Sequence, residues 1–156
     1  MLVVDIPGFR TLRLEHLVLD FNGTLAIDGR MIDGVATRLR ELSNRLRIQV
    51  ITADTFGRAA QELAGLPLQL AVLGEGDHAD AKLDLVTRLG ADSVVAVGNG
   101  RNDRKMVAIA ALGIAVLQRE GAASETLAAA TILASDIRHA LDLLAQPRRL
   151  VATLRS

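Results

Sequence analysis

The chain has no cysteine, no tryptophan and no tyrosine, and its only aromatic residues are Phe9, Phe21 and Phe56. The lack of cysteine excludes disulfides and thiolate metal sites. The lack of aromatics leaves the core to Ala, Val, Leu and Ile, because half of the 156 residues are hydrophobic all the same. Charge of one sign is missing too. Eighteen basic against eighteen acidic residues leave a formal net charge of zero, which argues against a broad footprint for nucleic acid. No basic-then-apolar leader opens the chain and no apolar run approaches a membrane span, so a cytoplasmic protein with no membrane partner is expected. The length fits one domain able to bury a core without staples.

What is present is alternation. Apolar runs with strand character cover His16 to Phe21, Ile48 to Thr52, Gln69 to Leu73, Ser93 to Val97, Ile114 to Leu117 and Thr131 to Ala134. Stretches with helical spacing lie between and after them: Val35 to Leu46, Phe56 to Ala64, Ala79 to Leu89, Asp103 to Ala111, Ala122 to Ala129 and Ile137 to Ala145. Leu25 to Ile32 reads as a small hairpin turning at Asp28-Gly29. Its apolar residues Leu25, Ile27, Met31 and Ile32 are expected at the surface, available to a partner. Pro147 breaks the last core helix, so the core runs from about residue 14 to 145, and 147–156 forms a basic-apolar tail, expected to be helical and solvated. Strand-helix alternation with short links predicts an α/β fold, a doubly wound (Rossmann-like) parallel sheet in three α/β/α layers.

In such sheets the ligand crevice lies at the carboxyl ends of the strands. The first strand ends in Asp20, within Asp20-Phe21-Asn22-Gly23-Thr24. The second ends in Thr52, within Thr52-Ala53-Asp54, and a later one delivers Gly98-Asn99-Gly100-Arg101-Asn102-Asp103. Lys82 lies early in the helix that leads into this last strand. Each residue alone has an ordinary explanation. Thr52 closes a buried strand, Lys82 fits a solvated helix face, and Asn102-Asp103 and Asp54-Thr55 fit helix caps. His16, His78 and His139 share no metal-ligand spacing and read as surface residues.

Taken in order, carboxylate, hydroxyl, ammonium and amide-carboxylate pair resemble the four motifs of the haloacid dehalogenase-like (HAD) hydrolase superfamily, over about residues 14 to 136. The Gly98 to Asp103 loop is similar to that of the P-type ATPases, and the chain resembles soluble relatives of their phosphorylation domain. The resemblance implies phosphoryl transfer through an aspartyl-phosphate on Asp20, with Asn22, Thr52 and Lys82 beside it in the catalytic set. It implies magnesium (Mg2+) held by Asp20, the Asn22 carbonyl, Asn99 and Asp103. It places Phe21, Gly23, Thr24, Thr52, Ala53, Lys82 and Asn102 around the substrate phosphate, with Gly23 and Thr24 offering backbone amides.

Two departures follow. Asn22 stands where family members carry an Asp that shuttles a proton, a role typically worth about 10²–10⁴-fold in rate. Asn99 stands where a metal-ligating Asp is expected, which implies one less negative charge and weaker metal binding. No insertion follows the hairpin or separates Thr52 from Lys82, so the resemblance implies a member with a β-hairpin flap and no cap domain. A homo-oligomer covering the open site is then expected, with a small phosphorylated substrate or nucleotide as ligand. The alternative reading is a regulatory module that binds phosphate or nucleotide with little or no turnover.

Overall fold

The computed structural model describes residues 1–156. The chain opens with β1 (Leu2–Ile6) and β2 (Arg10–Leu14), then β3 (His16–Leu19), the short β4 (Ala26–Ile27) and β5 (Arg30–Met31), and α1 (Val35–Leu42). Next come β6 (Arg47–Thr52), α2 (Ala59–Glu62), β7 (Gln69–Val72), α3 (His78–Leu89) and β8 (Val94–Gly98). The last stretch holds α4 (Arg104–Ile109), β9 (Leu112–Val116), α5 (Ser124–Ala129), β10 (Ile132–Ala134), α6 (Ile137–Ala145) and α7 (Pro147–Leu154). Six strands form one parallel sheet in the order β10-β9-β8-β3-β6-β7. From β3 the chain builds outward to β7, then returns to lay β8 on the other side of β3. The strand order reverses there, and a crevice opens at the carboxyl ends of β3 and β8.

The pleat sorts the strand residues between two layers, because successive side chains point to opposite faces. Leu17, Leu19, Ile48, Val50, Val95 and Val97 join a cluster of 31 buried residues that also holds Leu39 of α1, Leu141 of α6 and Leu150 of α7. Val18, Ile51, Val94 and Ala96 face the other way, into a cluster of eight with Val86 of α3 and Met106 and Val107 of α4. The three-layer expectation holds.

Several expectations change. Residues 1–14, given no role by the sequence patterns, pair as an antiparallel ribbon whose Leu2, Val4, Ile6, Leu12 and Leu14 enter the large core. The tail is no solvated appendage: α7 starts at Pro147, a favoured first helical position, and buries Leu150. The flap turns at Asp28-Gly29 as expected, with φ of 52° and 78° suiting a type I′ turn. Leu25 is fully buried and Met31 and Ile32 pack against the core, so the flap offers less apolar surface than its composition suggests. The helix expected over 56–64 shrinks to Ala59–Glu62, because Asp54 and Gly57 take positive φ and the Asp54 carboxylate accepts from the Arg58 and Ala59 amides. His16 is buried, and its Nδ1 has no partner, because its strand lies in the middle of the sheet.

Candidate active site

Lys82 belongs to the second turn of α3 and is fully buried, contrary to the ordinary fate of a helix lysine. Its Nζ donates to Asp20 Oδ1 and to Asp103 Oδ1, each at 2.7 Å. Asp20 sits just past β3 and its own amide donates to the Val97 carbonyl, which ties it to the end of β8. Asp103 closes a turn after β8, where its Oδ2 accepts from the Asn99 and Gly100 amides at 2.9 Å. Gly98 makes that turn feasible: a Cβ there would lie 2.4 Å from the Asp103 carboxyl carbon.

Thr24, also fully buried, joins the two loops. Its hydroxyl lies 3.2 Å from Asn99 Oδ1 and 3.5 Å from Asp20 Oδ2. Asp20, Thr24, Lys82, Asn99 and Asp103 thus form one connected polar cluster. Thr52 ends the neighbouring β6 and makes no side-chain bond to that cluster. Its hydroxyl oxygen accepts from the Asp54 amide at 2.9 Å, so its proton is free for another acceptor. Asn102 is half-buried beside Gly100.

The expected amide donors are only partly available. The Gly23 amide donates to the Ala26 carbonyl and the Thr24 amide to the Phe21 carbonyl, so neither is free for a phosphate. This is a correction, and its cause is the tightness of the turn into the flap: the Phe21 carbonyl also accepts from Leu25 and Ala26. The Asn22 and Ala53 amides donate to no protein acceptor.

Electrostatics follow from two carboxylates around one ammonium. Burial, and then the Asp103 charge, push the Asp20 carboxyl up to about 7 against the pull of Lys82 and the Phe21 amide. Burial works against the Lys82 ammonium, yet the Asp20 and Asp103 charges outweigh it and raise its pKa. With all three groups ionised, one negative charge stays uncompensated in a nearly dry site. A divalent cation would balance it, and the oxygen donors suit magnesium. The Asn22 carbonyl accepts no bond from the protein, its buried Oδ1 is likewise unpartnered, and Asn99 Oδ1 turns toward Asp20 through Thr24. Nowhere does the chain gather three His, Cys, Asp or Glu side chains, so a metal here would rest on a mixed set of carboxylate, amide and carbonyl oxygens.

Gln118 escaped the sequence reading. It follows β9, and its amide reaches the Gly23 and Thr24 carbonyls. An isolated glutamine carries no periodic or motif signal. It also borders a cavity of about 460 Å³ beside the flap, with Ile27, Arg30, Met31, Arg119 and Arg138 around it.

The six-stranded parallel sheet between helix layers, with no cap over the ends of β3 and β8, defines a fold class, and solved structures share that fold. A 3-deoxy-D-manno-octulosonate 8-phosphate phosphatase from Moraxella catarrhalis, in complex with magnesium, phosphate and the sugar acid, superposes with a TM-score of 0.67 at 18% identity, covering 91% of this chain and 94% of that one. The cobalt-bound phosphatase of the same name from Haemophilus influenzae gives 0.67 at 18% identity, over 92% and 94%. The fold is therefore the HAD-like one without a cap domain. No family model matches the chain. It is 40% identical over 84 residues to the uncharacterized protein MJ0073 of Methanocaldococcus jannaschii, which is 51% of this chain and 90% of that protein, and it belongs to that protein's family. The likeness to P-type ATPase domains rests on two sequence segments, Asp20 to Thr24 and Gly98 to Asp103. No helix is long and apolar enough to cross a membrane.

Proposed function

We propose that this protein is a magnesium-dependent phosphohydrolase working through an aspartyl-phosphate on Asp20. The observation that carries the reading is the buried Lys82 bridging Asp20 and Asp103 at the sheet's switch point. A dry cation has no structural need to sit between two acids there, and phosphoryl transfer needs charge compensation at that place. The Asp20 carboxylate attacks phosphorus, the new O–P bond forms, and the bond to the leaving oxygen breaks. Lys82 holds Asp20 in place and faces the phosphoryl oxygens, while the free Thr52 hydroxyl and the Asn22 and Ala53 amides donate to them. Bound magnesium would supply further charge neutralisation, held by Asp20, Asn99, Asp103 and the Asn22 carbonyl. The cavity beside the flap gives the leaving group room. Water then attacks the aspartyl-phosphate, releases phosphate and restores Asp20.

Asn22 cannot carry a proton between these steps, so turnover is slow. Incubation with magnesium and acetyl phosphate or a panel of phosphate esters should label Asp20 or release phosphate, and Asp20→Ala should do neither. Equal labelling and release in the two proteins would sink the reading. Asn22→Asp should raise steady-state turnover by roughly 10-fold or more, with the gain in hydrolysis of the phosphoenzyme.

The unpartnered Asn22 amide also favours a second reading, a module that binds phosphate or nucleotide in the cytoplasm without turnover. Calorimetry with magnesium plus phosphate or ATP separates the two: binding with no product supports the module. In either case the uncapped site calls for a second copy of the chain as its roof, which sedimentation would detect as an oligomer.

A further inference from the structure

The segment after β9 reaches across two strand ends at once. Gln118 Nε2 donates to the Gly23 carbonyl at 3.1 Å and to the Thr24 carbonyl at 3.0 Å, both in the loop after β3. Three residues on, the Gly121 carbonyl accepts from Asn99 Nδ2 at 3.0 Å, in the loop after β8. The Ala123 amide closes the set by donating to the Asn99 carbonyl at 2.8 Å. One loop therefore holds both halves of the site, although β8 lies between β9 and β3 in the sheet.

We propose that residues 118–121 are a positioning brace for phosphoryl transfer, and that Asn99 is matched to this brace rather than being a weakened aspartate. The orientation of each amide follows from its neighbours. Gln118 Oε1 accepts from the Ile137 amide at 2.8 Å, at the start of α6, so its nitrogen must face the two carbonyls. A carbonyl only accepts, so the Gly121 oxygen demands a donor from position 99. An Asp there would press a carboxylate oxygen against it at the distance now spanned by a hydrogen bond. With its nitrogen anchored, Asn99 has one way to turn its oxygen: toward Thr24 Oγ1 and, through it, Asp20. Gly23 packs on the same amide, since a Cβ on Gly23 would lie 2.3 Å from Asn99 Nδ2. The missing charge at position 99 is thus a consequence of how the two loops are tied.

The magnesium and turnover parts of this inference rest on the function proposed above, and the test separates the two. Magnesium alone is titrated into wild type, Asn99→Asp, Gln118→Met and Gln118→Glu. Thermal stability and the amide resonances and hydrogen exchange of Gly23 and Thr24 are followed. Gln118→Glu keeps the acceptor for the Ile137 amide and the side-chain length, and replaces the two donors by an acceptor oxygen and a negative charge, whereas Gln118→Met removes them without adding charge. Asn99→Asp should bind magnesium no more tightly than wild type. Both Gln118 variants should weaken it by roughly 10- to 100-fold, the range for partners that orient a ligand, and speed exchange at Thr24. On an active ester, kcat should fall in the Gln118 variants by more than KM rises. Tighter magnesium binding by Asn99→Asp, or wild-type loop exchange and magnesium affinity in Gln118→Glu, would overturn the brace. A wild type that turns over no ester removes the phosphohydrolase but leaves the exchange and magnesium results to decide on the brace.

Discussion

The two faces of the sheet are built from different material. Toward α1, α6 and α7 the strands present Leu, Ile and Val to a large aliphatic cluster in which the N-terminal ribbon takes part. Toward α3, α4 and α5 the apolar cluster is a quarter of that size, and the helix there carries the fully buried Lys82. Burying aliphatic side chains favours folding at about 25 cal/mol per Å² of apolar surface. Burying a cation between two carboxylates gives little or nothing net, because desolvation consumes the Coulomb attraction. One face thus supplies the stability that lets the other hold charges in a place water would otherwise screen, and buried charge is what phosphoryl transfer uses.

The strongest way to break this contrast is Lys82→Met. It removes the only cation from between Asp20 and Asp103 and leaves two facing acids. Labelling and phosphate release should vanish, and denaturant unfolding should show a loss of about 3–5 kcal/mol, the usual result of stripping one partner from a buried ion set. Leu141→Ala, in the aliphatic face, should cost about 2–5 kcal/mol through transfer and cavity terms. Activity per folded molecule should stay at the wild-type level, because Leu141 lies on α6 in the opposite layer. If Leu141→Ala instead lowers activity in folded protein, the separation of duties is wrong.

A smaller effect sharpens the same point through pH. Asp20 is held at about 7 in the fold, against an ordinary carboxyl near 3.8. A folded-state pKa above the unfolded one means that the unfolded chain releases its proton first as pH rises. Stability of the metal-free protein should therefore be highest below the unfolded value and fall between roughly pH 4 and 7, at up to about 1.4 kcal/mol per pH unit. Above that window the contribution is flat. Asp20→Asn should remove the slope, read from unfolding curves measured at successive pH values. A variant with the wild-type slope would show that another group is responsible.

Much of this was legible along the chain. The apolar runs, the Asp28-Gly29 turn and the order of Asp20 and Thr52 at strand ends, Lys82 early in a helix and Asp103 in the loop after a strand are local features, and each carries a pattern of period or spacing. The N-terminal ribbon was legible in principle, because Leu2, Val4 and Ile6 alternate with exposed neighbours around a turn at Gly8. Its alternation is short and lies outside the strand-helix rhythm that organises everything after it. The burial of Leu25 and the free amide of Asn22 in place of those of Gly23 and Thr24 were not legible, since both depend on how tightly one turn closes.

By itself the sequence determined the layers, the parallel sheet and the set of polar residues at its carboxyl edge, because hydrophobic period and turn chemistry act over a few residues at a time. The tertiary structure decided which of those residues meet. It sank Lys82 between Asp20 and Asp103, brought Gln118 over an intervening strand to Gly23 and Thr24, and turned the Asn99 nitrogen onto Gly121. Such contacts join positions 21 to 95 residues apart, and nothing local records them: they exist only once the crossovers bring those strand ends to one edge of the sheet.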